Sequence, residues 1–247
     1  AFYSLEMESS EIYERLLSKR AKIPMNTLID RSFKDKKRPQ KIRNEEINKI
    51  AATIDEIYSL PIKINDNPAC TVNDIRLESR CVAAQANSRT KSCKKRSLDS
   101  RDGEPPLGLI VIDYLQLMRS TKKAENRNLE VGSICRELKC LASDLGVPIL
   151  CLSQLNRTSD ESTRPSPSEL RDSGSIEQDA NKVILMWSIE KNLNERGLVE
   201  SKTIGVDVAL NRRGTTGVTL FNFNGNYMNF TELDRKYEEP KAKKNWR

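Results

Sequence analysis

The sequence predicts an α/β fold built around a mainly parallel sheet, and three observations support this. Residues 109–112 and 149–152 are two unbroken apolar runs, which are typical of parallel strands covered on both faces. Between them, Ile134, Leu138 and Leu141 recur at the spacing of one helix face. Since strands that alternate with helices favour right-handed parallel crossovers, we expect one sheet flanked by helices.

The first part of the chain begins with a strand that leads into helices. Residues 2–5 predict a short strand, and the apolar positions within 12–17 share one face of the following helix. Isoleucines recur at three- and four-residue steps within 47–57, which predicts an amphipathic helix. Residues 61–64 predict another short strand, and Thr71 is placed to cap a further helix.

The rest of the chain contains one long polar interruption and several later strands. Residues 85–106 have almost no apolar side chains and predict a flexible, exposed insertion. Gly146 is placed to end the helix that precedes residue 149. Strands are predicted at 183–187, 203–210 and 218–223.

Composition excludes several classes of protein and of catalysis. The 247 residues can bury a full core and carry a net charge of +7, which permits a polyanionic partner. No apolar run approaches the ~18 residues that span a bilayer. Histidine is absent, so any catalysis depends on carboxylates, amides, Lys and Arg. The six cysteines form no C-x-x-C pair, which favours reduced thiols over a zinc site.

Polar residues stand at the carboxyl ends of three predicted strands. Glu6 follows 2–5, Asp113 follows 109–112, and Gln154 follows 149–152. If these strands are neighbours, the three side chains meet at the sheet edge where open α/β sheets bind ligands. Taken alone, Asp113 could equally cap a turn, and Glu6 could be a surface acid that leads into a helix.

Four segments, taken in order, make the chain resemble a known family. They are SLEM at 4–7, IDYLQL at 112–117, LSQL at 152–155 and LRDSGSIEQDA at 170–180. Together they resemble the RecA-like motor domain of the DnaB family of replicative helicases. The resemblance implies a RecA-like sheet with a carboxyl-terminal β-hairpin.

The resemblance also implies roles for the polar residues at the strand ends. Glu6 corresponds to the carboxylate that polarises the water attacking the γ-phosphate of ATP. Asp113 corresponds to the acid that orients Mg²⁺, and Gln154 to the sensor that links the γ-phosphate to the DNA-binding loops. These roles suit phosphoryl transfer, which needs positioning and charge neutralisation more than covalent chemistry.

Two segments resemble the family's DNA-binding loops. Arg171, Asp172 and Gly174 match the segment that grips the single-strand backbone, where Arg and backbone amides contact phosphate without base preference. Arg127 ends a second loop of this kind. The alternatives are a surface ion pair between Arg171 and Asp172, and an Arg127 that is simply solvated.

A segment near the carboxyl end resembles the family's arginine finger. Arg212 aligns with the residue that enters the neighbouring subunit's nucleotide site, where it stabilises charge on the transferred phosphate. Leu210 stands where relatives commonly have a Lys that assists the finger. The alternative is a plain β-turn with Arg212 on the surface.

No P-loop pattern, G-x-x-x-x-G-K-[ST], occurs in the chain. In the family this loop precedes the strand equivalent to 2–5. The sequence is therefore expected to be a truncated motor domain that lacks the family's first strand and its P-loop. The family's amino-terminal helical domain is expected to be missing for the same reason. We therefore expect that this chain by itself does not turn over ATP.

The resemblance predicts the motor part of a replicative helicase that couples ATP hydrolysis to movement on single-stranded DNA. The expected partners are single-stranded DNA, five further copies in a homo-hexamer, a primase and a helicase loader. The alternative is a catalytically inactive RecA-like module that binds DNA or forms rings. The motor domain is predicted over 1–235 and a basic tail over 236–247, in a bacterial cytosol or an organelle interior.

Overall fold

The computed structural model describes residues 1–92, 107–120, 125–155, 163–170, 174–193, 199–235 and 237. Its helices are α1 (Ser9–Ala21), α2 (Met25–Ile29), α3 (Gln40–Ser59), α4 (Val72–Ser92), α5 (Arg127–Leu145) and α6 (Gly174–Asp179). Its strands are β1 (Phe2–Ser4), β2 (Ile64–Asn65), β3 (Ile110–Asp113), β4 (Ile149–Cys151), β5 (Lys182–Leu193), β6 (Val199–Asn211), β7 (Gly217–Asn224) and β8 (Asn229–Glu232).

The chain is organised in two compact units. The first comprises Ala1–Glu14, Asp55–Asn156 and Ser168–Ala180, and the second comprises Arg15–Ile54, Arg157–Pro167 and Asn181–Arg247. The predicted domain over 1–235 therefore includes parts of both units. Its extent stays a prediction.

The first unit contains a four-stranded sheet in the order β2-β1-β3-β4, and all three pairings are parallel. Its core includes apolar side chains of β1, β3, α4 and α5, among which Ile110, Ile112 and Leu141 have no exposed surface. Alternate residues of β3 point into this core, because successive strand side chains point to opposite faces. The predicted parallel sheet with flanking helices is confirmed here.

The second unit contains a four-stranded antiparallel sheet in the order β5-β6-β7-β8. Three of these strands were predicted as part of a mainly parallel fold, which is wrong for their direction, whereas the predicted carboxyl-terminal β-hairpin is confirmed within a four-stranded antiparallel meander. The connections between them span only 194–198, 212–216 and 225–228. A parallel crossover needs about a dozen residues or more, so connections this short require antiparallel neighbours.

Local signals set several helix ends where the sequence predicted them. The Thr71 hydroxyl accepts a hydrogen bond from the Asp74 amide (3.3 Å), and the Asp74 carboxylate accepts one from the Thr71 amide (2.9 Å). This reciprocal cap begins α4. Gly146 ends α5 in the left-handed conformation, with φ of 64°.

The insertion predicted at 85–106 overlaps the end of α4, and its exposure and flexibility stay predictions. Helix α4 continues to Ser92, because Ala, Gln, Arg and Lys favour helix even without an apolar face. Residues 93–106 lie outside the described residues, as does the predicted basic tail apart from Tyr237. Where the chain is described, none of its helices has the length and apolar character needed to cross a membrane.

Candidate functional site

The three polar residues predicted to share a sheet edge follow three adjacent strands. Ser4 of β1 is in register with Asp113 of β3, and the Leu5 amide donates to the Asp113 carbonyl (2.7 Å). On the other side of β3, the Leu152 amide donates to the Ile112 carbonyl (2.9 Å). Because the strands are parallel, their carboxyl ends lie at one edge of the sheet.

The order of the strands sets the order of the residues along this edge. Asp113 ends the middle strand β3, with Glu6 following β1 on one side and Gln154 following β4 on the other. Glu6 and Gln154 are exposed, and Asp113 is half-buried. The edge therefore presents a carboxylate, a second carboxylate and an amide in a row, two of them open to solvent.

Gln116, which was not among the predicted site residues, joins the segments that follow β3 and β4. Its side-chain nitrogen Nε2 donates to the Ser153 hydroxyl (2.8 Å), and its Oε1 accepts from the Gln154 amide (3.3 Å). One amide group thus holds both residues of the Ser153-Gln154 pair. The signal was present in the sequence as the Gln of the IDYLQL segment, but its partner lies 38 residues away.

Arg127 lies at the start of α5 and is bound within the chain. Its Nη2 donates to the carbonyls of Gln116 (2.6 Å) and Met118 (3.0 Å), and its Nη1 pairs with Glu130 (2.5 Å). The hydrogen bond from Arg127 holds the pKa of Glu130 below its usual range. The predicted contact of Arg127 with DNA stays a prediction, and its guanidinium also braces the segment after β3.

Asp66 is a further carboxylate at this edge that the sequence analysis did not identify. It directly follows β2, and its Oδ2 accepts from the Ser9 amide at the start of α1 (2.9 Å). This hydrogen bond holds the pKa of Asp66 below its usual range. Asp66 therefore ties the beginning of the helix that follows Glu6 to the outer strand of the sheet.

Arg212 lies in the second unit, in the turn between β6 and β7. It is exposed, and its amide donates to the Asn181 carbonyl (3.1 Å). The Asn211 side chain shapes the turn by donating to the Thr215 carbonyl (3.0 Å). A Cβ at Gly214 would lie 2.6 Å from Asn211 Nδ2, so a side chain there would force the Asn211 amide to move. The predicted finger thus extends from a turn shaped by its neighbours.

The predicted DNA-contacting segment is only partly described. Arg171 and Asp172 lie outside the described residues, and Gly174 is the first residue of α6. The Lys139 ammonium donates to the Asp179 carbonyl (2.8 Å), which fastens the end of α6 to α5. The helix that follows the predicted DNA-contacting residues is therefore anchored to the first unit.

The donor set for a divalent cation at this edge is small. Within the described part of the chain, no group of three or more His, Cys, Asp or Glu side chains could hold a metal ion. Mg²⁺ in nucleotide sites is usually held by one or two carboxylates together with phosphates and water. A half-buried Asp113 at the end of a central strand fits that arrangement.

Comparison with known proteins identifies relatives of this chain. Residues 1–232 match the family described as the DnaB-like helicase C-terminal domain. The replicative DNA helicase DnaB of Leifsonia xyli subsp. xyli is 36% identical over 234 residues, which cover 94% of this chain and 45% of that protein. The chain thus spans less than half the length of this relative.

Two solved structures are similar over 94% of the chain, each at 27% sequence identity. One is a DnaB-like replicative helicase studied with its interactions with primase, with a TM-score of 0.73 and 51% of that chain covered. The other is an ATPase domain, with a TM-score of 0.70 and 74% of that chain covered.

Proposed function

The chain belongs to the DnaB-like helicase C-terminal domain family, and we propose that it is part of the ATP-hydrolysing motor of a replicative DNA helicase and does not turn over ATP by itself. The observation that carries this proposal is the row of Glu6, Asp113 and Gln154 after three adjacent parallel strands. The similarity to an ATPase domain and to replicative helicases supports it.

In this proposal each residue of the row has a distinct task in hydrolysis. The exposed Glu6 carboxylate orients the attacking water and accepts its proton. The Gln154 amide hydrogen-bonds the γ-phosphate and is displaced when that phosphate leaves. Both tasks require an open edge, and both residues are exposed there.

Asp113 is the residue that would hold Mg²⁺ together with the phosphates of ATP. Bound Mg²⁺ neutralises charge that develops on the phosphate oxygens. Asp113 contributes its carboxylate from the most enclosed position of the row, in the middle of the sheet. A single carboxylate suits a Mg²⁺ ion that binds together with the phosphates of the nucleotide.

Arg212 completes the proposed site from another copy of the chain. An arginine supplied from a neighbouring subunit stabilises charge on the transferred phosphate. The exposed position of Arg212 on a turn shaped by Asn211 supports a role in such an intersubunit contact. We infer a ring of copies, the homo-hexamer that the family resemblance implies.

Single-stranded DNA is the proposed substrate of the motor. The net charge of +7 supports a polyanionic partner, and Arg171, Asp172 and Gly174 are the proposed backbone contacts. Primase is a proposed partner, because a structurally similar helicase was studied with primase. A helicase loader is also proposed as a partner, and this proposal rests on the family resemblance alone.

The decisive experiment measures ATP hydrolysis and strand separation by the full-length protein. Asp113→Asn and Arg212→Ala are each expected to abolish strand separation. Asp113→Asn removes the metal ligand, and Arg212→Ala removes the positive charge that stabilises the transferred phosphate in the neighbouring subunit's site. Asp113→Asn is expected to weaken Mg²⁺-dependent nucleotide binding, and Arg212→Ala is expected to leave it intact.

The matched control is Arg80→Lys, which alters an exposed arginine of α4 and is expected to leave both activities unchanged. Unaltered strand separation in Asp113→Asn or Arg212→Ala would contradict the proposal. Binding of single-stranded DNA without any ATP hydrolysis would favour the inactive module instead.

A further inference from the structure

We propose that residues 31–43, the basic segment, bind the phosphate backbone of duplex DNA and form a second nucleic-acid contact of the protein. The segment lies in the second unit and runs from the end of α2 to the first turn of α3. Gly174, the described member of the proposed single-strand contacts, belongs to the first unit. The choice of DNA as the polyanion rests on the proposed function, whereas the basic surface itself does not.

Most of the net charge of the chain is concentrated in the basic segment. It contains seven of the 42 Lys and Arg residues and one of the 35 acids, so the rest of the chain is nearly neutral. Five of these basic side chains are exposed, namely Arg31, Lys34, Lys36, Lys37 and Lys41. Lys and Arg clustered in this way are typical of a surface that contacts nucleic acid.

The five exposed side chains are available to an external anion. None of their charged groups has a hydrogen bond or an ion pair with another described residue. Lys34 lies over the ring of Phe33, with Nζ 5.8 Å from the ring centroid. Asp35 is the one acid of the segment, and its Oδ1 accepts from the Lys37 amide (2.9 Å). Its carboxylate therefore shapes the backbone and makes no ion pair with a lysine.

The basic segment has a defined shape although it is exposed. The Arg38 guanidinium donates two hydrogen bonds of 2.8 Å to the Glu46 carboxylate of α3. Phe33 packs against a buried cluster formed by residues within 21–28. Between these anchors, the Arg38 amide donates to the Asp35 carbonyl (3.1 Å). Charges on a segment that is already ordered lose less entropy on binding than charges on a flexible tail.

The charges of the basic segment do not favour folding. Lys41 and Arg43 lie in the first turn of α3, which contains no acid. The amino end of a helix carries partial positive charge, so cations there are unfavourable. The neighbouring like charges also repel one another. A partner of opposite charge explains an arrangement that folding alone disfavours.

Duplex DNA fits the basic segment better than a single strand does. Proteins that bind single strands without sequence preference stack bases on aromatic side chains. Phe33 is the one aromatic residue of the segment, and it packs against the cluster within 21–28. A duplex carries one negative charge per roughly 1.7 Å of its axis, which suits closely spaced lysines. Phosphate contacts carry no sequence information, so we expect no base preference.

The experiment measures binding of the full-length protein to a fluorescent blunt-ended duplex over a range of salt concentrations. The test variant combines Lys36→Gln, Lys37→Gln and Lys41→Gln, which leaves Phe33 and Arg38 in place. It is expected to weaken duplex binding by roughly 10- to 100-fold at low salt. The slope of log Kd against log salt concentration is expected to fall by about 3, because each lysine–phosphate contact contributes about 1.

The matched control combines Lys63→Gln, Lys182→Gln and Lys191→Gln, which removes the same charge from exposed lysines elsewhere. Its duplex affinity is expected within about threefold of wild type, since salt screens charges that lie far from the phosphates. Urea denaturation shows that the variants are folded. The test variant is expected to be at least as stable as wild type, because Lys41 no longer places a cation in the first turn of α3.

Several outcomes would overturn the inference. Unchanged duplex affinity and salt dependence in the test variant would do so, and equal losses in the test and control variants would show that net charge alone is responsible. A loss that is as large for a dT oligonucleotide as for the duplex would contradict the assignment to duplex DNA. Unchanged duplex binding with weaker binding of polyglutamate would replace DNA with an acidic protein partner.

Measurements on the wild type separate this inference from the proposed function. If the wild type hydrolyses ATP and separates strands while the test variant binds duplex normally, the inference fails and the proposed function stands. If the test variant loses duplex affinity while the wild type neither hydrolyses ATP nor separates strands, the proposed function fails and the duplex contact stands.

Discussion

Arg164 donates two hydrogen bonds to a single carboxylate oxygen of Asp207, from Nε at 3.1 Å and from Nη2 at 2.9 Å. The Asp207 side chain is 3% exposed, whereas that of Arg164 is 36% exposed. The other oxygen, Oδ1, is buried and has no hydrogen-bond partner among the described residues. The guanidinium is thus the main compensation for a carboxylate buried in β6.

Removing the arginine is expected to destabilise the second unit. Arg164→Met leaves the Asp207 charge buried without its main partner, which costs about 1–3 kcal/mol once the partial exposure of Arg164 is considered. Urea denaturation gives the free energy of unfolding. The double variant Arg164→Met with Asp207→Val is expected to regain most of the loss, and a double variant no more stable than Arg164→Met would contradict the interpretation.

Gly205 is expected to tolerate no side chain, because it lies directly opposite Trp187 across the β5-β6 pair. A Cβ there would lie 2.5 Å from the Trp187 ring, which also packs edge-on against Tyr237 at 5.5 Å between ring centroids. Gly205→Ala is therefore expected to cost about 1–3 kcal/mol of unfolding free energy. Thermal unfolding measures this loss.

Gly217→Ala is the matched control, because a Cβ at that position in β7 has no heavy atom within 4 Å. It is expected to change the unfolding free energy by less than about 0.5 kcal/mol. Equal losses of unfolding free energy in Gly205→Ala and Gly217→Ala would show that the backbone of this sheet needs glycine at both positions. The loss at position 205 would then not result from a clash with Trp187.

The cap of α4 is expected to make stability depend on pH. Thr71→Ala removes the side-chain cap and is expected to cost about 1 kcal/mol at neutral pH. Hydrogen bonds from Thr71 hold the pKa of Asp74 below its usual value of 3.8. A carboxyl group whose pKa is lower in the folded state stabilises the protein at pH values above its unfolded-state pKa. This stabilisation disappears as the pH falls through the folded-state pKa.

The difference in unfolding free energy between wild type and Thr71→Ala is therefore expected to be constant near neutral pH and to become smaller below about pH 4. Urea denaturation at a series of pH values measures it. A difference that widens in acid would mean that Asp74 is not the group responsible. Because Asp74 is only partly buried, the narrowing is expected to be small.

Glu6→Gln is expected to slow ATP hydrolysis by the full-length protein by about 10²- to 10⁴-fold, because the amide cannot accept a proton from the attacking water. Nucleotide affinity is expected to stay near the wild-type value, since Glu6 acts on water and not on phosphate. Glu11→Gln, an exposed acid in the first turn of α1, is the control. Comparable hydrolysis by wild type and Glu6→Gln would exclude Glu6 as the proton acceptor.

Local features could be read from the sequence because their partners are close in the chain. Thr71 and Asp74 are three residues apart, and Gly146 needs only the helix before it to adopt a left-handed conformation. The aliphatic run before Asp113 likewise predicts a buried strand without knowledge of its neighbours. Composition and periodicity carry this information, and the structure confirms each of these features.

Other features depend on contacts between distant segments and could not be predicted from local patterns. Gln116 lies 38 residues from Gln154, and Asp66 lies 57 residues from Ser9. A glutamine in a motif gives no sign of which backbone amide it will meet. The antiparallel direction of β5–β8 could have been inferred, because the connections at 194–198 and 212–216 are too short for parallel crossovers.

The sequence by itself determined most of the strands, the helix ends at Thr71 and Gly146, and the family of this protein, because these depend on local periodicity and on ordered motifs such as IDYLQL. Only the tertiary structure decided that β3 lies between β1 and β4, which sets Asp113 between Glu6 and Gln154. It alone showed that Arg127 braces the Gln116 carbonyl. Strand order and side-chain partners depend on packing between distant segments, and no local pattern in the chain encodes them.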